Sequence, residues 1–324
     1  MSIAKVITYS PAQTIVPTYE CFNLCSYCNF RADPGQSSWL SLKQAQNELK
    51  LLDVADVCEI LILSGEVHPR SPSRKSWFKL IYDLCQLALN LGFLPHTNAG
   101  ILHFAEMQML KEVNVSMGLM LEQVTPRLLK TVHRNAPSKD PHLRMQQLEW
   151  AGQLKIPFTT GLLLGIGETA DERIETLEAI ANIQERWGNI QEVILQPHSP
   201  GSKQTFNAVG FNPQELPELI ALAREILPDT IAIQIPPNLI PEANFLLECI
   251  DAGARDLGGI VPKDEVNPDY AHLDLLSLKK ILTSAGWHLV PRLPVYPQYY
   301  NYLSSQLQTA IAPRLEQNSK SKLT

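Results

Sequence analysis

Cys21, Cys25 and Cys28 stand in the stretch Tyr-Glu-Cys-Phe-Asn-Leu-Cys-Ser-Tyr-Cys-Asn-Phe, a C-x3-C-x2-C spacing that offers three thiolates from one short loop and no fourth. A four-iron cluster held by three cysteines leaves one iron open to a small molecule, whereas four-cysteine clusters that only carry electrons are coordinatively closed. A structural zinc site draws on four nitrogen or sulfur ligands, usually as two C-x2-C-like pairs, and the chain contains no second pair. A disulfide framework belongs to small chains in oxidising compartments. The spacing predicts an open 4Fe–4S site on Cys21, Cys25 and Cys28, with zinc and a redox dithiol as the alternatives. Cys58, Cys85 and Cys249 fall in apolar patterns and are expected to be buried small hydrophobes.

A loop with this chemistry needs a frame, and the chain repeats one rhythm: a short apolar run, a turn, then an amphipathic helix. Apolar runs lie at about 57–63, 93–98, 113–121, 158–164, 190–196 and 230–235, with a weaker one at about 14–18 and a last candidate at 257–261. Helical patterns lie near 41–53, 74–91, 103–111, 142–154, 170–187, 213–226, 239–252 and 275–285, the spacing being clearest in Ile174, Leu177, Ile180, Ala181 and Ile183. Alternating β and α elements imply a parallel sheet with right-handed crossovers. About eight such units predict an α/β fold, a single (β/α)8 TIM-type barrel. No Pro/Gly/Ser-rich linker divides it, so one domain is expected over residues 1–312, followed by a polar, frayed tail at 313–324.

Composition narrows the function classes. The chain has 324 residues, is 45% hydrophobic and carries a formal net charge of −6. That length buries a large core. Basic residues are not clustered along the sequence, which argues against nucleic acid as a partner. No apolar run approaches a membrane span, and the first ten residues lack a basic segment followed by a long apolar one. A reducing cytoplasm is the expected location.

Barrel enzymes work at the C-terminal ends of their strands, and the cysteine loop follows the first candidate strand. After the second run comes Ser64-Gly65-Glu66, where a glycine lets backbone approach a ligand and nearby carbonyls can accept from an ammonium; an ordinary turn explains it too. His96, Thr97 and Asn98 follow the third run. The fourth ends at Glu122, a carboxylate suited to hydroxyl recognition. The fifth ends in Gly165-Ile166-Gly167, which lacks the pattern of a phosphate loop and suits close packing against a flat ring.

Together these features resemble the radical S-adenosylmethionine (SAM) superfamily: the three-cysteine loop with Tyr27 before its last cysteine, the Ser64-Gly65-Glu66 turn and the glycine-rich fifth strand. The resemblance implies a 4Fe–4S cluster on Cys21, Cys25 and Cys28, and SAM as the small molecule at its open iron. It further implies that Ser64, Gly65 and Glu66 lie near the methionine amino group, Glu122 at the ribose and Arg144 at the carboxylate, with Ile166 and Gly167 at the adenine. A solvated helix cation is the competing role for Arg144.

The chain is more narrowly similar to the small-subunit type of the 7,8-didemethyl-8-hydroxy-5-deazariboflavin synthases, the deazaflavin-forming branch. The stretches that carry this are Ile7–Ser10, Pro95–Gly100, Ser116–Glu122, His133–Lys139, Gln196–His198, Pro236–Leu239 and Asp256–Pro262, so the likeness runs over roughly residues 5–300. Ile260-Val261-Pro262 departs from it, a serine being expected before the proline, and puts one substrate contact in question. The implied reaction is a radical lyase step with loss of ammonia. A companion radical enzyme joins a tyrosine-derived hydroxybenzyl unit to a ribitylaminouracil. This enzyme then cyclises the adduct, with an electron donor required. Thr97, Asn98, Gln196, Asn238 and Asp256 are expected to hold the substrate, because a ribityl chain and a uracil call for many neutral hydrogen-bonding groups. His198 and His133 are the candidates for proton transfer, since a histidine pKa sits near neutrality, although each is also suited to a structural hydrogen bond.

Two rivals remain at this point. One is another radical SAM barrel acting on a different small molecule, maturase-like or biotin-synthase-like. The other is a non-catalytic protein that merely carries a metal.

Overall fold

A computed structural model describes residues 5–207, 210–240, 242–271 and 274–321. Residues 1–4, and 322–324 of the tail expected at 313–324, lie outside the described residues. The first eight strands are β1 (Val6–Ile15), β2 (Glu59–Leu63), β3 (Leu94–Asn98), β4 (Ser116–Gly118), β5 (Phe158–Leu164), β6 (Ile190–Pro197), β7 (Ala232–Gln234) and β8 (Asp256–Ile260). Between them run α1 (Leu42–Leu49), α2 (Arg74–Asn90), α3 (Phe104–Lys111), α4 (Pro141–Gln153), α5 (Ala170–Trp187), α6 (Leu216–Ile226) and α7 (Ala243–Asp251), and α8 (Leu275–Ser284) follows β8. All strand pairs are parallel and follow sequence order from β2 to β8.

The barrel closes through β1. Ala12–Ile15 pair with Glu59–Ile62 on one side, and Thr8–Pro11 pair with Asp256–Ile260 on the other. A strand the sequence reading did not anticipate, β9 (His288–Pro291), pairs with Val6–Tyr9 beside the first half of β1. β1 itself begins eight residues before the weak run expected at 14–18. Its first half reads Val-Ile-Thr-Tyr-Ser-Pro, and the polar groups that hide it from a hydropathy scan are used inside the fold, Thr8 donating to Asp256.

Helix ends follow local chemistry. Thr169 accepts from the backbone of Glu172 while Glu172 accepts from the backbone of Thr169, and Gly188 stops α5 in the left-handed region at φ 63°. The helix buries Leu177, Ile180 and Ile183 against the barrel. Cys58, Cys85 and Cys249 are buried as expected.

The N-terminal end of the barrel carries a second apolar cluster. Leu293, Val295, Tyr299, Leu303, Leu307 and Ile311 pack on Cys58, Leu94 and Val115, which sit at or just before the starts of β2, β3 and β4. The first six of these groups come from the segment after β9 and from α9 (Ser305–Ser321). The boundary expected at residue 312 falls inside that helix. Arg314 donates to the carbonyl of Gly92 at 2.6 Å and to that of Val54, which ties the helix to two inter-element turns.

Candidate active site

Side chains alternate along a strand, so each strand of the barrel sends every second residue to the lumen. Leu61 and Leu63 of β2, Asn98 of β3, Met120 after β4, Leu163 of β5, and Ile194 and Gln196 of β6 line a cavity of about 320 Å³ at the C-terminal end. Tyr27, Cys28, Ser64, Glu66, Glu122, Lys139, Arg144 and His198 complete it. The strand parity and the βα loops therefore bring nine of the expected groups into one space.

The cysteine loop forms one wall. The Cys28 backbone donates to Cys25 O at 3.1 Å, Leu24 N donates to Asn135 O at 2.7 Å, and Ser26 N donates to Val132 O at 3.1 Å. All three cysteines are free thiols, each partly exposed. Among the described residues no three His, Cys, Asp or Glu side chains converge on a single ion, as a zinc site requires. A four-iron cluster takes its ligands at separate irons, so three thiols on one loop beside an open cavity fit it. Burial pushes the Cys25 thiol up to about 12, and the Cys21 thiol upward as well, so loading a metal here must release protons.

Opposite the loop lies a buried charge array. Glu122 adopts φ 65°, rare for a residue with a side chain, and is anchored by its N–H to Gly161 O at 3.0 Å. Its carboxylate pairs with Lys139, whose ammonium also lies 5.9 Å from the centre of the Tyr27 ring. Burial alone would raise the Glu122 carboxyl, but Lys139 and Arg144 outweigh it and hold the group below the ordinary carboxylate range. Arg144 is buried, not solvated: Nε donates to Ser138 O at 3.1 Å, Nη1 donates to Met120 O, and Nη2 lies 3.8 Å from the Glu66 carboxylate. Ser64 donates to Gly65 O at 2.9 Å and accepts from the indole of Trp77 at 3.0 Å. Gly65 does not border the lumen. A Cβ there would lie 2.2 Å from Glu20 O, so the glycine lets the end of β2 pass under the chain leaving β1.

The structure places several of the expected residues away from this lumen. Thr97 faces the helix layer, donating to Asn114 at 2.7 Å beside Cys85, because its neighbours His96 and Asn98 take the lumen-facing parity of β3. Asp256 is spent on Arg292, with Nε and Nη2 donating at 2.6 and 2.8 Å, and accepts from Thr8 and Tyr296 as well. Ile166 points into a small apolar cluster with Leu128, Val132 and Leu163. The neighbouring Gly167 offers its carbonyl to Arg127 at 2.7 Å. The N–H groups of Gly165 and Ile166 are both bound by Glu168, so this turn closes on itself. His133 lies behind Tyr27 and shares a 2.9 Å hydrogen bond with its hydroxyl. Burial pushes His133 down to about 3, and it reaches the lumen only through that phenol. His198 does line the lumen. Its Nε2 is hydrogen-bonded to Gln204 at 3.0 Å, its Nδ1 is buried without a partner, and burial lowers its pKa.

The lumen continues deeper. A second cavity of about 180 Å³ shares Leu61, Leu63, Asn98, Met120 and Ile194 with the first, and adds Glu59, His96, Glu192, Gln234, Asn238 and Arg292. Asn238 donates to Asp264 at 2.9 Å and keeps its Oδ1 unpartnered. Ser116 donates its one hydroxyl proton to Pro294 O, so His96 Nδ1, 2.7 Å away, is the donor of that pair. Burial pushes His96 down to about 3, so its Nε2 is a bare acceptor, facing Gly118. Sequence reasoning missed Glu59, Glu192 and Lys139, and named His96 without giving it a role. His96 and Glu192 share the lumen parity of Asn98 and Gln196, which it did select, and Glu59 that of Leu61 and Leu63.

The family model of the radical SAM superfamily matches residues 15–180. The chain is 69% identical over 306 residues to a 7,8-didemethyl-8-hydroxy-5-deazariboflavin synthase of Trichormus variabilis, covering 94% of this chain and 90% of the relative. It is 62% identical over 320 residues to one of Synechococcus elongatus, covering 98% and 95%. Among solved structures, the FeFe-hydrogenase maturase HydG from Carboxydothermus hydrogenoformans matches with TM-score 0.74 at 18% identity, over 97% of this chain and 76% of that one. Methylornithine synthase (PylB) matches with TM-score 0.68 at 17% identity, over 89% and 84%. At those identities the two structures speak for the barrel alone.

Proposed function

This chain belongs to the radical SAM superfamily and, within it, to the 7,8-didemethyl-8-hydroxy-5-deazariboflavin synthases, and from that premise we propose that it is the lyase that closes the deazaflavin ring. The substrate in this reading is the hydroxybenzyl–ribitylaminouracil adduct supplied by a companion radical enzyme, and ammonia is the leaving group. Cys21, Cys25 and Cys28 would hold the 4Fe–4S cluster. When bound, that cluster supplies a one-electron cleavage of the SAM sulfonium, which yields a carbon radical able to take hydrogen from an unactivated C–H bond.

The residues do the rest. Arg144 and Lys139 offer cations for the SAM carboxylate, while Ser64 and Glu66 offer acceptors for its ammonium. Glu122, held ionised by its neighbours, accepts from the ribose hydroxyls. Tyr27 and Leu163 present flat and apolar surface, and the buried lumen keeps water from the reacting carbon. Asn98, Gln196 and Asn238, joined by Gln234, Glu59, His96 and Glu192 below, supply the hydrogen-bonding wall that a uracil and a polyol need. His198, with Nδ1 free toward a partner, is placed to take or return a proton as the ring closes. Reducing thiol chemistry suits a cytoplasmic location, and the described residues contain no helix long and apolar enough to cross a membrane.

The observation that carries this reading is Cys28 bordering the same lumen as Glu122, Lys139 and Arg144. Its test is anaerobic reconstitution with SAM, a reductant and the adduct, following 5′-deoxyadenosine and the fluorescent deazaflavin together. Both should rise in step, and Cys25→Ala should abolish both along with the brown cluster absorbance. Deoxyadenosine without deazaflavin would send the substrate assignment elsewhere, and a four-iron spectrum surviving in Cys25→Ala would overturn the ligand set.

A further inference from the structure

The lower cavity holds hydrogen-bonding capacity that the chain itself does not use. Its charged floor is satisfied: Arg292 binds Glu192 and Asp256, and Glu192 also accepts from Thr159 at 2.9 Å. Elsewhere in the cavity the pattern reverses. His96 Nε2 and the side-chain amides of Asn98 and Gln234 have no hydrogen-bond partner among the described residues, and Asn238 Oδ1 is buried without one. Buried polar groups are as a rule paired, so unspent groups converging on one cavity point to a polar ligand there. His96 is the most constrained of them. It sits beside Leu61 of β2 and Ser116 of β4 in the sheet register. Its Nδ1–H is committed to Ser116, whose own proton goes to Pro294 O, and that carbonyl also accepts from Gln191 Nε2 at 3.1 Å. Nε2 is therefore the unprotonated nitrogen. Burial keeps it so by pushing the pKa down to about 3, with the Arg292 cation adding to the effect. It can accept and cannot donate. Gly118 leaves the space beside it clear, since a Cβ there would lie 2.9 Å from Nε2.

A hydroxyl rotates and can donate or accept, so a polyol needs no acceptor fixed in this way. The imide edge of a uracil is different. It sets one N–H between two carbonyls in a rigid plane, and its complement is one acceptor flanked by donors. We infer that His96 Nε2 is the specificity-determining acceptor for that imide N–H, so that the adduct enters uracil-first and its hydroxybenzyl half stays at the rim of the lumen near Cys28. The Asn98 and Gln234 amides, each able to turn an N–H toward a carbonyl, supply the flanking donors. Ser116 is the positioning residue, because its bond to Nδ1 fixes both the tautomer and the ring. The inference rests on the proposed function, which makes the substrate a uracil, and adds to it the orientation of that substrate and the residue that reads it.

The test uses two probes, ribitylaminouracil and its derivative methylated at the imide nitrogen, which has lost the donor. Calorimetry on the anaerobically reconstituted full chain measures both probes, and SAM, for the wild type, His96→Leu and His96→Gln. The wild type should bind the parent probe about tenfold or more tightly than the methylated one, a comparison that needs no variant to fold. His96→Leu should lose that preference, bringing the two probes within about twofold, while its SAM affinity stays within about twofold of the wild type. His96→Gln, whose amide oxygen accepts, should recover part of the preference. A wild type that binds both probes equally, or neither, would overturn the inference, as would a preference that survives in His96→Leu. A parallel fall in SAM affinity would overturn it too, by showing that His96 merely supports the barrel wall. Deazaflavin formation from the full adduct is followed separately. A wild type that makes deazaflavin yet binds the probes equally loses this contact and keeps the proposed function. One that makes neither deoxyadenosine nor deazaflavin fails the proposed function itself, while the probe preference still decides His96.

Discussion

Lys139 holds one end of a buried pair whose other end, Glu122, is fixed in a rare backbone conformation. Removing one partner of such a pair strands a charge in a dry site, at a cost of about 3–5 kcal/mol. Lys139→Met should therefore lower thermal stability in the metal-free protein and weaken SAM binding by on the order of tenfold or more, whereas Lys139→Arg should restore part of both; calorimetry with SAM reads the second effect. The cysteine loop, Ser64, Glu66 and Glu122 were selected because each follows the end of an apolar run, and Arg144 because the family resemblance implies it. Lys139 was not, since it reaches Glu122 from a separate loop at no characteristic spacing. Thr97 was chosen and His96 given no role for one reason: both lie on β3, and only the period of two, applied from Asn98, tells which of them faces the lumen.

The α/β alternation was readable because parallel strands buried on both faces are continuous apolar runs, and their helices have one apolar side. The elements that escaped were those without such patterns. β9 has four residues and an exposed first position, and α9 carries Pro313 and a polar sequence. Yet α9 seats Leu307 and Ile311 in the cluster that covers the barrel's N-terminal end. Leu307→Ala should cost about 2–5 kcal/mol, because the cavity it leaves is enclosed between α9 and the strand starts. Leu276→Ala on α8, where the side chain is 80% exposed, should change stability by no more than about 0.5 kcal/mol. Chemical denaturation of the two variants decides whether the segment after β9 is part of the cooperative core.

At the scale of the whole barrel, one guanidinium joins distant parts of the chain. Arg292, just beyond β9, binds Glu192 of β6 and Asp256 of β8, and the Tyr296 hydroxyl lies within hydrogen-bond distance of both carboxylates, at 2.9 and 3.1 Å. Burial pushes Glu192 up to about 7, Arg292 offsetting it only in part. The folded protein thus holds this proton more tightly than the unfolded chain, where the group titrates near 4.5. Its stabilising contribution is complete below the lower value and is lost as pH rises through the upper one. Relative to Glu192→Gln, the wild type should lose melting temperature between about pH 5 and about pH 8; parallel profiles would mean the carboxyl is ionised throughout. The same end of the barrel sets a timetable for biogenesis. β1 can pair with β2 early, but its other neighbours, β8 and β9, leave the ribosome only after residues 260 and 291. At ordinary translation rates that is roughly a quarter of a minute to a minute in which an open edge, with the cysteine loop just behind it, awaits its partners. Asn135 and Val132, on which that loop leans, arrive midway. On the proposed function, cluster loading belongs after the last strand has closed the barrel, and a nascent chain stalled before residue 291 would display its thiols on an unfinished wall.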